Sequence, residues 1–135
     1  MESINKTMSN KVLYPRSKIW IEARNENMVF GSGRLSLFKA IDRFGSINRA
    51  AAELGMSYRA AWGKITATEK HLGIKLVDKY TGGARSGSEL TPEAKKLMAA
   101  YQQFKEESIE AVDKLFYKHF AGICKLSPKK DDLSL

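Results

Sequence analysis

Cationic and polar side chains recur at helical spacing in the segment 58–72. Arg59, Gly63, Thr66 and Lys70 fall on one side of a helical wheel; we call these four positions the recognition arc. A guanidinium, an ammonium and a hydroxyl group can hydrogen-bond to base edges and phosphate oxygens. Gly63 has no side chain, so the helix backbone could lie close to those groups. The arc therefore predicts recognition of nucleic acid through hydrogen bonds.

Two short helices joined by a glycine turn are expected to position this arc. Ser46 and Ser57 stand where each can cap the helix that follows it, and Gly55 supplies the turn between the helices. The inward positions predicted for the first helix are Ile47, Ala50, Ala51 and Leu54. Those predicted for the second are Tyr58, Ala61, Ile65, Thr68 and Leu72. This is the spacing of a helix-turn-helix, whose second helix enters a major groove.

A wing is predicted directly after the second helix. Residues 73–80 have the pattern of a helix stop followed by a short strand, and Leu90–Thr91 is the expected returning strand. The intervening loop, 81–89, is rich in small residues and contains Arg85. Such a loop suits a sugar-phosphate backbone, and Arg85 is its candidate contact.

On these residues, the segment 45–97 resembles the winged helix-turn-helix of LysR-type regulators. It is still more similar to the N-terminal DNA-binding domain of the ModE family of bacterial, molybdate-responsive transcriptional regulators. The closer similarity rests on residues 57–62, 81–83 and 90–91, and the resemblance extends over roughly residues 18 to 120. It implies DNA binding, and it implies that the helix after the wing pairs two subunits. ModE proteins continue into domains that bind molybdate, which we expect this chain to lack, so the resemblance implies no cofactor.

Composition favours a polyanionic partner. The chain has 135 residues, which fits one domain, and its 43% hydrophobic residues are enough for a core. A formal net charge of +8 suits nucleic acid, although acidic membranes and acidic proteins are alternatives on charge alone. No run approaches the roughly eighteen apolar residues of a spanning helix, and residues 1–17 lack the apolar centre of a secretory signal. We therefore expect a cytoplasmic protein. Its one cysteine, Cys124, cannot form an internal disulfide.

The expected fold is α+β and mostly helical. A small hairpin formed by residues 18–24 and 28–30, with a turn at 25–27, precedes a first helix at 34–44. The predicted division of the chain is a flexible arm at 1–17, the winged helix-turn-helix at 18–90, a dimerisation helix at 91–120 and a flexible tail at 121–135.

The last helix carries an apolar stripe along about 30 residues. Its members are Leu97, Tyr101, Phe104, Ala111, Val112 and Leu115. At about 1.5 Å per residue the helix would span roughly 45 Å, more than a small core can cover. The stripe therefore predicts a homodimer, and the alternative is a helix folded back on its own domain.

Further candidate DNA contacts lie beside the recognition arc. They are Arg49, Ser57, Tyr58, Trp62 and Lys64. Each has a plainer alternative: the two aromatic residues can serve packing, and Arg49 and Lys64 can be solvated. The strand residue Lys79 could equally be solvated.

Catalysis and metal binding find little support in the sequence. His71 and His119 have no paired cysteine or carboxylate at ligand spacing, and His119 and Cys124 are a poor helical pair. The glycine-rich residues 82–87 lack the Gly-Lys-Ser/Thr ending of a phosphate loop. We expect no catalytic residue, no metal and no cofactor.

These observations together predict a dimeric, sequence-specific transcriptional regulator of double-stranded DNA with an inverted-repeat operator. The sequence does not identify an effector. Two alternatives belong to other classes, namely a sequence-tolerant architectural DNA-binding protein and a small protein-interaction module.

Overall fold

The computed structural model describes residues 11–24, 28–80 and 87–126. Within these ranges the strands are β1 Val12–Leu13, β2 Ile21–Glu22, β3 Met28–Phe30, β4 Val77–Tyr80, β5 Gly87–Leu90 and β6 Lys125–Leu126. The helices are α1 Ser32–Phe44, α2 Ile47–Glu53, α3 Tyr58–Leu72 and α4 Pro92–Phe120. The described residues form two compact units, one at 19–103 and one that combines 11–18 with 104–126.

The predicted hairpin and three-helix arrangement make up most of the first unit. β2 pairs antiparallel with β3, with an irregularity between Ile21 and Glu22. The predicted turn at 25–27 lies outside the described residues. Phe30 is fully buried, with its ring stacked on Phe38 at 5.8 Å between centroids. The hairpin thus contributes its last residue to the core formed by α1, α2 and α3.

Both predicted serine caps are confirmed. The Ser46 hydroxyl accepts from the backbone N–H of Arg49 at 3.1 Å, and the Ser57 hydroxyl accepts from that of Ala60 at 3.0 Å. Gly55 between the two helices has a φ of +70°, which a residue with a side chain rarely adopts. The turn that sets α3 against α2 is therefore specified by the sequence.

Six of the nine predicted inward positions are confirmed as buried, and the three that are wrong lie at or beside a helix end. Ile47, Ala50 and Ala51 of α2 are buried, as are Ala61, Ile65 and Thr68 of α3. Leu54, Tyr58 and Leu72 are exposed. Leu54 follows the last residue of α2 with non-helical dihedrals, while Tyr58 and Leu72 are the first and last residues of α3. The periodic pattern treats these terminal positions as helix interior, although the chain is leaving the core there.

Arg34 of α1 ties three elements together. Its Nη1 donates to the carbonyl of Val29 at 2.7 Å and to the Thr68 hydroxyl oxygen at 3.0 Å. Burial lowers the pKa of Arg34, because desolvation disfavours the charged form. This arginine fixes α3 relative to the hairpin and α1.

The wing strands pair antiparallel, with Val77 opposite Leu90 and Tyr80 opposite Gly87. Thr91, which the sequence places both in the returning strand and at the start of the last helix, lies outside the strand and caps α4. Its hydroxyl donates to the Lys75 carbonyl at 2.8 Å and accepts from the Ala94 N–H at 3.1 Å. One side chain therefore joins the start of the wing to the start of α4.

The apolar stripe of α4 does not form one continuous outer surface. Tyr101 is only 1% exposed: its ring meets Phe30 edge to face, and its hydroxyl donates to the Ile19 carbonyl at 2.7 Å. Leu97 is half-buried and also packs on this core. Tyr101 and Leu97 therefore hold the first part of α4 against the core of the first unit. The burial of Tyr101 corrects its assignment as a dimer contact. Phe104 and Leu115, farther along α4, are 50% and 54% exposed.

The second unit contains a strand pair that the sequence analysis does not predict. β1 pairs parallel with β6, matching Val12 to Lys125 and Leu13 to Leu126. Two-residue strands are too short to show a period of two, so the sequence carries no signal for them. In α4 of this unit, Phe116 stacks on Phe120 at 4.6 Å between centroids. Across the described parts of the chain, no helix combines the length and apolar character needed to span a bilayer.

Candidate nucleic-acid interface

The recognition arc lies on the outer side of α3. Arg59, Gly63 and Lys70 are exposed and Thr66 is half-buried. The opposite side is held in the core by Ala61, Ile65 and Thr68, all 0% exposed. Because the buried side is fixed, the arc is presented outward as a set, as the sequence predicts.

Two members of the arc have specific local geometry. A Cβ added at Gly63 would meet no heavy atom within 4 Å, so the space beside the helix backbone is open there. The Thr66 hydroxyl donates back to the carbonyls of Trp62 at 3.0 Å and Gly63 at 3.2 Å. Thr66 therefore offers an outside partner its methyl group and its oxygen lone pairs rather than its O–H.

The first turn of α3 is joined to the wing by a lysine. Lys79 Nζ of β4 donates to the Tyr58 hydroxyl oxygen at 2.8 Å. The same Nζ lies 4.7 Å from the centroid of the Trp62 ring and 5.5 Å from that of Tyr58. Lys79 thus contacts both Tyr58 and Trp62, which are two of the candidate DNA contacts. Lys79 and Tyr58 are 21 residues apart, so no sequence spacing signals the contact.

A second cationic group lies at the corner between α1 and α2. The guanidinium carbons of Arg49 and Arg43 lie 5.0 and 5.2 Å from the centroid of the Phe44 ring. The sequence analysis names Arg49 and misses Arg43. The missed signal is a pair of arginines on either side of an aromatic residue near a helix start, where cation–π contacts can fix guanidinium groups.

The remaining predicted DNA contacts are Ser57, Lys64 and Arg85. The Ser57 hydroxyl oxygen accepts the capping bond from the Ala60 N–H. Lys64 is half-buried on the flank of α3 opposite Trp62. Arg85, the candidate contact in the wing loop, lies outside the described residues.

The base of the wing is attached to the corner between α1 and α2. The Ser88 N–H donates to the Gly45 carbonyl at 2.9 Å. A Cβ added at Gly87 would lie 2.7 Å from the same carbonyl oxygen, closer than real Cβ contacts. The close approach of these two backbones therefore requires glycine at position 87.

The described part of the chain contains no cluster of side chains that could hold a metal ion. No group of three or more His, Cys, Asp or Glu side chains converges in residues 11–24, 28–80 and 87–126. The cationic groups in and near the helix-turn-helix include the arc, the Lys79 contact and the two arginines.

Comparison with known proteins agrees with this geometry. The family model described as bacterial regulatory helix-turn-helix protein, lysR family, matches residues 33–95. The molybdenum-pterin-binding protein MopB of Rhodobacter capsulatus is 46% identical over 72 residues, covering 53% of this chain and 27% of MopB. The molybdenum transport protein ModE of Azotobacter vinelandii is 37% identical over 83 residues, covering 61% of this chain and 31% of ModE. The aligned region thus spans only about a quarter to a third of these relatives.

A solved structure shows the same fold. The crystal structure of DarR from Vibrio fischeri in complex with DNA superposes with a TM-score of 0.50 over 64% of this chain and 28% of DarR, at 20% identity. The resemblance to ModE-like and LysR-type domains that the sequence predicts is confirmed. Over residues 33–95 the chain is therefore similar to the helix-turn-helix domain described by the model of the bacterial regulatory lysR family.

Proposed function

We propose that this chain is a sequence-specific, DNA-binding transcriptional regulator that acts as a dimer in the bacterial cytoplasm. The observation that carries the proposal is the recognition arc, exposed on a capped helix whose opposite side is buried. α3 would lie in the major groove, and the wing would follow the sugar-phosphate backbone. The lysR family model supports this proposal, because its description is that of regulatory helix-turn-helix proteins.

Each side chain of the arc would have a distinct role. Arg59, the second residue of α3, would hydrogen-bond to guanine, since residues near the start of a recognition helix reach base edges. Gly63 would let the backbone approach the groove floor, and the Thr66 methyl would pack on thymine. Lys70, about one turn beyond Thr66, would meet a base edge or phosphate. Arg49 would contact backbone phosphate beside the groove.

Dimerisation would use the part of α4 beyond the core. Phe104, Ala111 and Leu115 are exposed and Val112 is half-buried. A two-fold pair through this surface would remove these apolar side chains from water. The matching DNA site would be an inverted repeat, with half-sites about one or two helical turns apart.

Selection of bound sequences from a random duplex library tests the proposal. A regulator should enrich one inverted repeat over successive rounds at moderate salt. Binding without enrichment would favour the architectural alternative, for which the net charge of +8 is sufficient. Absence of duplex binding would favour the protein-interaction module.

A further inference from the structure

We propose that Lys79, Tyr58 and Trp62 form one binding site for a DNA backbone phosphate, shared between the wing and the start of α3. The inference rests on the proposed function and adds to it a site that includes Lys79. Its basis is the contact geometry of three side chains from two elements.

The first step is the placement of the lysine. Nζ of Lys79 hydrogen-bonds to the Tyr58 hydroxyl at 2.8 Å and lies near the faces of both rings, at 4.7 Å from the Trp62 centroid and 5.5 Å from that of Tyr58. An exposed lysine ordinarily samples many rotamers, and a ligand must bear the cost of ordering it. Here the two rings and the hydroxyl order the ammonium before any ligand binds, which favours binding.

The second step is the inventory of donors. An ammonium has three N–H donors, and the contact with Tyr58 uses one of them. The Tyr58 oxygen accepts that bond, so its own O–H stays a donor. A cation and a polarised hydroxyl side by side form a site for an anionic oxygen, because hydrogen bonds to a charged acceptor are the stronger kind.

The third step is position. On the wheel of α3, Tyr58 and Trp62 lie on the flank between the recognition arc and the buried side. This flank faces β4, which supplies Lys79. With the arc in a major groove, a flanking group at the helix start stands at the groove edge, where the phosphates run. A backbone phosphate is therefore the anion that fits.

The test uses fluorescence anisotropy with a mixed-sequence duplex of about 30 base pairs, measured at several salt concentrations. Lys79→Met should raise the Kd roughly tenfold. The plot of log binding constant against log salt should become less steep by about one, since one phosphate contact is lost. The matched control Lys96→Met removes the same charge from an exposed residue of α4 and should change the slope far less. Lys79→Arg keeps the charge and should keep the slope.

The hydroxyl is tested separately. Tyr58→Phe should raise the Kd about threefold without changing the slope, because a neutral donor releases no counterion. If the two groups share one phosphate, the double variant Tyr58→Phe/Lys79→Met should lose less than the product of the single effects. The shared site would be overturned if the double variant loses the full product of the two single Kd effects. It would also be overturned if Lys79→Met and Lys96→Met have equal salt slopes.

Melting temperatures separate a phosphate contact from a merely structural one. If Lys79→Met has a lower melting temperature than the parent, a second variant is used, namely Tyr58→Phe in the Lys79→Arg background. A loss of DNA affinity on adding Tyr58→Phe supports the site. Unchanged affinity overturns the site. A parent that binds while its Lys79 variants bind equally well overturns this inference alone. A parent that binds no duplex overturns the proposed function together with it.

Discussion

Under the proposed function, Arg59 is the side chain on which base recognition should depend most. It is the exposed second residue of α3, two positions after the Ser57 cap. Arg59→Ala should weaken binding to the selected site by about 1–3 kcal/mol and relax the preference at one base position, as loss of a bidentate guanine contact does. Titration against the selected site and its single-base variants measures this.

The control for Arg59 is Arg24→Ala, which removes an exposed arginine outside the candidate interface. It should leave the pattern of base preference intact. If Arg59→Ala binds the selected site as tightly and as selectively as the parent, α3 is not placed in the groove as proposed.

Gly63→Ala should raise the stability of the fold and weaken DNA binding. A Cβ at this position meets nothing within 4 Å in the free protein, so Gly63→Ala should stabilise folding by about 0.5–1 kcal/mol, the helical preference for alanine. The same methyl group would stand between the helix backbone and the groove, and the Kd for DNA should rise. Thermal unfolding and anisotropy on one sample measure both effects. A variant that is more stable and binds equally well would show that DNA does not approach α3 here.

The residue-scale predictions from sequence succeed where the chemistry is local. Side chains on one helix, such as Arg59 and Lys70, are placed by helical spacing alone. The contact of Lys79 with Tyr58 escapes the prediction because its partner lies 21 residues away on another element. Arg43 is different, since its aromatic partner Phe44 is the next residue and the signal is present in the sequence. Tyr101 is mispredicted because an apolar stripe does not tell whether a side chain meets its own core or another subunit.

At the scale of elements, capping and turn residues make the helix-turn-helix predictable. Ser46, Gly55 and Ser57 fix the boundaries of α2 and α3 through short-range bonds and one positive φ. The bounds of α4 are also anticipated, from Thr91 at its start to Phe120 at its end. The pairing of β1 with β6 is not anticipated, since it joins the two ends of the described chain through strands of two residues.

The attachment of the wing to the α1–α2 corner depends on Gly87. Gly87→Ala places a Cβ 2.7 Å from the Gly45 carbonyl oxygen, and it should destabilise the fold by about 1–3 kcal/mol, the usual cost of overpacking. The strand should shift, breaking the bond from Ser88 to Gly45. Chemical denaturation measures the free energy of unfolding.

Gly33→Ala in α1 is the matched control, because a Cβ there meets no atom within 4 Å. It should leave stability unchanged or raise it by about 0.5–1 kcal/mol. Equal effects of the two alanines would show that the close approach at Gly87 is not the constraint.

At the scale of the whole molecule, the exposed part of the α4 stripe is the candidate dimer surface. Replacing Phe104 and Val112 together with glutamate should yield monomers that keep a folded winged domain, since neither residue belongs to the core. DNA affinity should fall by at least tenfold, because each half-site would then bind alone. Light scattering and a DNA titration at one salt concentration test both effects.

The control for that variant is Ala99→Glu with Gln103→Glu, which adds the same charge to exposed residues on the other side of α4. It should remain dimeric. A monomeric parent, or a Phe104/Val112 variant that stays dimeric with unchanged affinity, would remove α4 from the assembly.

The most direct test of the central claim is the ratio of two affinities at one salt concentration. The parent protein is titrated with its selected site and with a scrambled duplex of equal length and composition. A sequence-specific regulator should bind the selected site about a thousandfold or more tightly, the lower range for specific DNA-binding proteins. A ratio near one would contradict the account and leave a protein held to DNA by its charge alone.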